Sequence, residues 1–173
     1  MGAGMRPRVA ILTGGRDRPY ALGLATSLID AGVAFDFIAS DELESPALRD
    51  NRQVRVLNLR GDMRPEASLR DKIMRVLRYY GRLVAYALGS PAEVFHVLWN
   101  NRVEYLDRTL VLGFYKLLGK RIAFTVHNVN IRERDGNDTL LNRLTLRWQY
   151  RIVDHLFVHT RRMAEELARD FDV

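Results

Sequence analysis

Residues 121–130 read RIAFTVHNVN: a β-branched and aromatic run, Ile122, Ala123, Phe124, Thr125 and Val126, that breaks off into His127, Asn128 and a polar loop. A short continuous apolar run bounded by turn residues, here Gly119 before it and the polar segment after it, is the pattern of a strand buried on both faces of a parallel sheet. The chain upstream reads as built to deliver that strand end to a crevice. The chain downstream reads as built to close the wall beside it.

Immediately upstream, residues 93–99 (EVFHVLW) form a second buried strand. Between the two, Val103, Leu106, Leu110, Phe114 and Leu117 recur at helical spacing, with Asn101 and Glu104 spaced as a capping box and Gly119 as the stop. Further back a helix is expected over residues 66–88. Leu69, Ile73, Val76, Tyr80, Leu83 and Ala87 share one stripe of it, and Arg75, Arg78 and Arg82 the opposite one. Residues 53–59 (QVRVLNL) alternate apolar and polar, as a strand near a sheet edge does, and the polar residues 40–52 read as a loop with one helical turn. At the start, residues 8–13 (RVAILT) run into Gly14 and Gly15. A helix capped by Asp17, with Pro19 in its first turn, then carries Tyr20, Leu24, Leu28 and Ala31 to Gly32, and residues 33–39 form the second strand of a βαβ unit. Downstream come a polar loop over 128–137, a helix over 139–151, a strand over 155–159 and a helix started by Thr160 that ends near Asp170. Strands alternating with helices throughout define an α/β class: a doubly wound, Rossmann-like, mostly parallel sheet of about six or seven strands. Residues 1–7 read as a disordered lead and residues 8–173 as one domain.

Composition bounds the function. The chain has 173 residues, 47% of them hydrophobic, and no cysteine, which excludes a disulfide scaffold and a thiolate metal site and fits the cytoplasm. No stretch approaches the ~20 apolar residues of a membrane span, and the first thirty residues hold no signal-peptide core. The net charge is +6, and only Lys72, Lys116 and Lys120 are lysines beside 24 arginines. Arginine favours a bidentate grip on phosphate or carboxylate, so anionic partners fit; a codon bias toward arginine leaves the same surplus.

In open α/β sheets ligands bind outside the carboxyl ends of the strands. That rule selects Gly14 and Gly15 with Arg16 after them, Trp99 to Asn101 with Asn100 at the centre, His127 with Asn128, and Thr160. The glycine pair is either an ordinary tight turn or a place where backbone N–H groups at a helix N-terminus approach a phosphate or sugar. GGRDRP is not GxGxxG, and Asp41 is the nearest acidic residue to the ribose-binding place, so a dinucleotide fold is disfavoured. His127, flanked by Asn128, offers the donors and acceptors that sugar hydroxyls need and acid–base chemistry near neutral pH; the alternative is a structural histidine. His96, His155 and His159 read as core or rim residues. The four histidines show no metal spacing, so neither a metal nor another cofactor is expected, and there is no GxSxG elbow or Walker loop. The Arg75, Arg78 and Arg82 face is either solvated or laid on anionic lipid headgroups, which would place the protein peripherally at the inner face of the membrane.

Taken in order, VAILTGG (9–15), LGLATSLIDAG (22–32), VFHVLWNN (94–101), RIAFTVHN (121–128) and DHLFVHTRRMAEEL (154–167) resemble the N-terminal domain of GT-B fold glycosyltransferases, family 4 in particular. The resemblance covers nearly the whole chain. It implies two Rossmann-like domains facing each other across a cleft, the N-terminal one holding a sugar, lipid-linked or polysaccharide-precursor acceptor and the C-terminal one holding the nucleotide-sugar. On that resemblance Gly14 and Gly15 match the glycine pair near the donor phosphates or acceptor, and His127 matches the histidine that contacts the transferred sugar. The reaction would retain anomeric configuration without a metal, and the arginine-rich helix would match the surface by which some members attach to membranes. The nucleotide-sugar domain, with its paired-glutamate motif, lies outside these 173 residues, so the chain is expected to be an N-terminal half that is inactive alone. The competing reading is a non-catalytic α/β module for phosphorylated or anionic membrane ligands. Nucleic-acid binding would rest on charge alone, without an aromatic platform or recognition helix, and is not expected.

Overall fold

β5 (Arg121–Val126) lies between two parallel neighbours: Ala123 sits opposite His96 on β4 (Val94–Val97) and opposite His155 on β6 (His155–Val158). Ile122, Phe124 and Val126 enter one buried cluster, while Ala123 and Thr125, also buried, point to the other face, so the strand carries no polar alternation. These details come from a computed structural model that describes residues 8–15, 17–43, 45–61, 68–101, 103–129 and 139–173. The lead over 1–7, Arg16, the helix start placed at Glu66 and the polar loop beyond Val129 lie outside the described residues.

The sheet has six parallel strands in the order β3-β2-β1-β4-β5-β6. The chain runs outward from β1 (Val9–Leu12) through α1 (Arg18–Asp30), β2 (Phe35–Ala39), a 3₁₀ turn (Asp41–Leu43) and α2 (Pro46–Arg49) to β3 (Val54–Asn58). α3 (Leu69–Gly89) then returns it across the sheet to β4. From there α4 (Glu104–Leu106), a π-helical turn (Asp107–Val111) and α5 (Leu112–Leu117) lead to β5, α6 (Leu140–Ile152) to β6, and α7 (Arg161–Phe171) closes the order. Right-handed crossovers that reverse direction must change faces. Accordingly α1 and α2 pack with Ile11, Phe35, Phe37 and Ala39 on one face, and α3, α5, α6 and α7 pack with Ala10, Leu12, Phe95 and Ile122 on the other. The fold is thus an α/β, Rossmann-like doubly wound sheet whose switch point falls between β1 and β4.

Three local readings change. The stripe of α3 buries only through its C-terminal half, at Leu83 and Ala87 with Val76 and Tyr80 half-buried, whereas Leu69 and Ile73 are 75% and 52% exposed; Tyr79, beside the stripe, is buried as well. The reason is length: 21 residues of helix span about 31 Å, whereas strands of four to six residues span roughly 13–20 Å. Running antiparallel to the strands, α3 overhangs the sheet at its carboxyl edge. Asn101 does not cap α4, whose N-cap is Val103 without a side-chain bond. Instead its backbone N–H and Nδ2 donate to Asp107 at 2.6 and 3.0 Å, and its Oδ1 accepts from the Tyr79 hydroxyl at 2.7 Å. Residues 40–52, expected as loop with one helical turn, contain both the 3₁₀ turn and α2. The alternating strand is the sheet edge, as its pattern implied, with Arg55 paired to Asp36 on β2 at 2.6 Å.

Candidate functional site

The site is assembled from strand ends. After β1, Gly14 and Gly15 turn the chain at φ +63° and +70°, and the Gly15 N–H donates to Thr13 Oγ1 at 3.3 Å. The room left by the missing side chains is used within the protein. A Cβ on Gly14 would lie 2.5 Å from the Trp99 carbonyl oxygen and 2.7 Å from Trp99 Cβ, and one on Gly15 would fall on the Arg60 guanidinium. Arg60, just past β3, donates to the Gly14 carbonyl and lies 5.1 Å from the centroid of the Tyr79 ring. Sequence reading passed over this cation, although the rule that selected the other strand ends applies equally to β3.

Trp99, two residues past β4, stacks on His127 with ring centroids 3.8 Å apart and planes within 6°. His127, one residue past β5, donates from Nε2 to the Leu98 carbonyl at 3.1 Å. A carbonyl only accepts, so the neutral ring keeps its lone pair on Nδ1, and the His159 Nε2–H donates to it at 3.2 Å. Tyr20 packs edge-on against both rings at 4.7 and 5.3 Å. Burial, and next the neighbouring His159, hold the His127 pKa below the usual imidazole value, and the Leu98 bond offsets part of this; the ring is neutral at pH 7. His159, read from sequence as a rim residue, is thus the direct partner of His127. The register explains the pairing: Val126 sits opposite Val158, so the next residue of each chain segment leaves the sheet on the same side.

Beside this cluster, between the carboxyl end of β5, α6 and the start of α4, lies a cavity of about 300 Å³. Asn100, His127 and Asn128 stand on its wall together with Arg108, Asn142 and Gln149. Thr160 stands apart from it: its hydroxyl is spent on α7, accepting from the Met163 N–H at 3.2 Å. Arg75, Arg78 and Arg82 lie along α3, Arg78 and Arg82 exposed and Arg82 donating to the Leu59 carbonyl at 3.4 Å. Among the described residues no group of three or more His, Asp or Glu is placed to hold a metal ion, and no helix is long and apolar enough to cross a membrane.

His96 belongs to the core. Its Nε2 meets Thr125 Oγ1 at 2.8 Å, and burial lowers its pKa to about 4. Because the unfolded chain binds this proton near pH 6.5, the neutral ring's contribution is complete above that pH and is lost as the pH falls toward about 4. The loss amounts to about 3 kcal/mol over that window. Thermal midpoints of the wild type and His96→Gln between about pH 7.5 and 4.5 read it directly: the wild type is expected to fall more steeply, and parallel curves would contradict the assignment.

Compared with known proteins, the chain matches no protein-family profile and no curated protein sequence.

Proposed function

We propose that the chain is the acceptor-side, N-terminal domain of a retaining, GT-B fold glycosyltransferase similar to family 4, which moves a sugar from a nucleotide-sugar to a glycan, lipid-linked or polysaccharide-precursor acceptor. The observation that carries this reading is the His127–His159 pair at the carboxyl edge, next to the switch point of a Rossmann-like sheet and at the wall of a polar cavity. The ordered strand ends VAILTGG, VFHVLWNN, RIAFTVHN and DHLFVHT support it as well.

In this proposal an acceptor or donor hydroxyl that donates to His127 Nδ1 replaces the His159 N–H there. His159 is then released to donate to the same oxygen, so the pair supplies one acceptor and one donor. The Leu98 carbonyl fixes the tautomer, and the Trp99 stack fixes the plane of the ring. The bond from the acceptor oxygen to the anomeric carbon forms as the bond to the donor phosphate breaks, and the acceptor proton passes to a phosphate oxygen. The donor is a co-substrate held by the second domain, so interactions made only in the transition state come from both walls of the cleft. Screening nucleotide-sugars against acceptor glycosides tests this reading. Transfer is expected from this chain joined to a nucleotide-sugar domain and none from the 173 residues alone; turnover by the isolated chain, or none by the joined protein with any donor, overturns it.

A second observation favours peripheral contact with an anionic membrane. Arg78 and Arg82 are exposed on α3, on one stripe with Arg75 and opposite the exposed Leu69, Ile73 and Leu77. Each basic residue near an anionic surface contributes about 1 kcal/mol. Replacing the three arginines by glutamine is therefore expected to weaken sedimentation with anionic vesicles by roughly a hundredfold. Binding that is unchanged by these replacements and by salt would remove the membrane reading.

A further inference from the structure

The cavity beside β5 holds an unusual concentration of unmet hydrogen bonds. Gln149 is fully buried and its Nε2 has no partner; Arg108, 7% exposed, has none at Nε; the buried Trp99 Nε1 donates to nothing; and the buried Oδ1 of Asn100 accepts from nothing. All four residues stand on the wall of the same cavity. Buried polar atoms in folded proteins are nearly always paired, so four unmet atoms around one space mark groups that a ligand completes.

The partners these residues do have fix the character of that ligand. Asn100 Nδ2 donates to Gln149 Oε1 at 3.1 Å, which sets both amides and leaves one free acceptor on Asn100 and one free donor on Gln149. Arg108 donates from Nη2 to Glu104 Oε2 at 2.6 Å and from Nη1 to Asn142 Oδ1 at 2.5 Å, so its charge is already matched. Arg108 stands on the π-helical turn, whose wider winding turns both Asp107 and Arg108 into the protein; such turns recur at functional sites. Phe124, Leu146 and Tyr150 complete the wall with apolar surface.

We infer that this cavity binds one uncharged, hydroxyl-rich ring, a single pyranose of a neutral glycoside. A hydroxyl both donates and accepts, so the several hydroxyls of one ring satisfy three free donors and one free acceptor together, and its C–H face meets the apolar wall. A carboxylate or phosphate would enter beside Glu104, and the cation on the described wall, Arg108, is already paired with that carboxylate. The size agrees: about 300 Å³ lies at the small end of ligand pockets, which run from roughly 300 to 1,000 Å³. The inference deepens the reading of this edge as an acceptor site, and rests on it for taking the ring to be part of a glycoside.

The test is a fluorescence titration of the Trp148→Phe protein, which leaves Trp99 at the cavity as the sole tryptophan. The probes are methyl glucoside, mannoside and galactoside, with glucuronate and glucose 1-phosphate as charged counterparts. At least one neutral glycoside is expected to shift Trp99 saturably and to bind more tightly than either charged sugar. Gln149→Leu and, at the cavity mouth, Asn100→Ala are each expected to weaken binding about tenfold. Tighter binding of the charged sugars, no saturable response to any neutral glycoside, or unchanged affinity in both variants at wild-type thermal midpoints overturns the inference. Tighter binding of a charged sugar at this wall would leave the acceptor reading standing. Neutral binding without transfer in the joined protein would sink the acceptor reading and keep the cavity assignment.

Discussion

Alanine at position 127, in a protein that also carries the nucleotide-sugar domain, is expected to lower kcat about a hundredfold or more while leaving the thermal midpoint within a few degrees of wild type. The side chain is half-buried at the rim, so its removal opens space that solvent fills and leaves no sealed void. What is lost is the Nδ1 acceptor, the Leu98 bond that orients it and the stack on Trp99. His159→Ala is the informative companion. It frees His127 Nδ1 without removing it, so on the proposed mechanism it costs less, about tenfold. Steady-state kinetics on both variants check this, and a His127→Ala enzyme with wild-type kcat and a wild-type melt would remove His127 from the mechanism.

Gly14→Ala is expected to be the most damaging small change in the molecule, by about 2–4 kcal/mol of folding stability. Two costs add. A residue with a Cβ at φ +63° pays about 1 kcal/mol for the left-handed conformation. The Cβ also meets the Trp99 carbonyl oxygen at 2.5 Å, a contact with backbone that no rotamer relieves. Gly61→Ala separates the two costs, because its φ is +71° and a Cβ there meets nothing within 4 Å among the described residues. Urea denaturation of both variants is expected to place Gly14→Ala below Gly61→Ala by about 1–3 kcal/mol; equal losses would mean that the Trp99 contact contributes nothing. Because Trp99 also carries the stack on His127, the alanine is expected to shift the His127 ring resonances as well, while Gly61→Ala leaves them in place.

Some of this was legible in the residues. Strands such as IAFTV and VAIL read correctly because a parallel sheet covered on both faces removes polar alternation, and the edge strand VRVLN read correctly because its outer flank retains it. Periodicity on α3 identified the apolar stripe and not how far the sheet extends beneath it, so Leu69 and Ile73 looked like core and are not. Spacing made Asn101 and Glu104 a capping box, but Asp107 on the π-helical turn bonds Asn101 instead, and the helix starts at Glu104 with Val103 as its N-cap. Neither the His127–His159 contact nor the wall shared by Asn100, Arg108 and Gln149 has a local signal. Each depends on which residues of separate elements meet, and that is fixed by strand register and by the packing of α6. The glycine pair carried a signal with two readings, and Trp99 and Arg60 occupy the space that a Cβ on either glycine would need.

The most direct measurement of the central claim is the anomeric configuration of the product made by this chain joined to a nucleotide-sugar domain, read by NMR with wild-type His127 and with His127→Ala. Retained configuration, with turnover that collapses in the variant, is the expected result. An inverted product, or transfer indifferent to His127, would contradict the account.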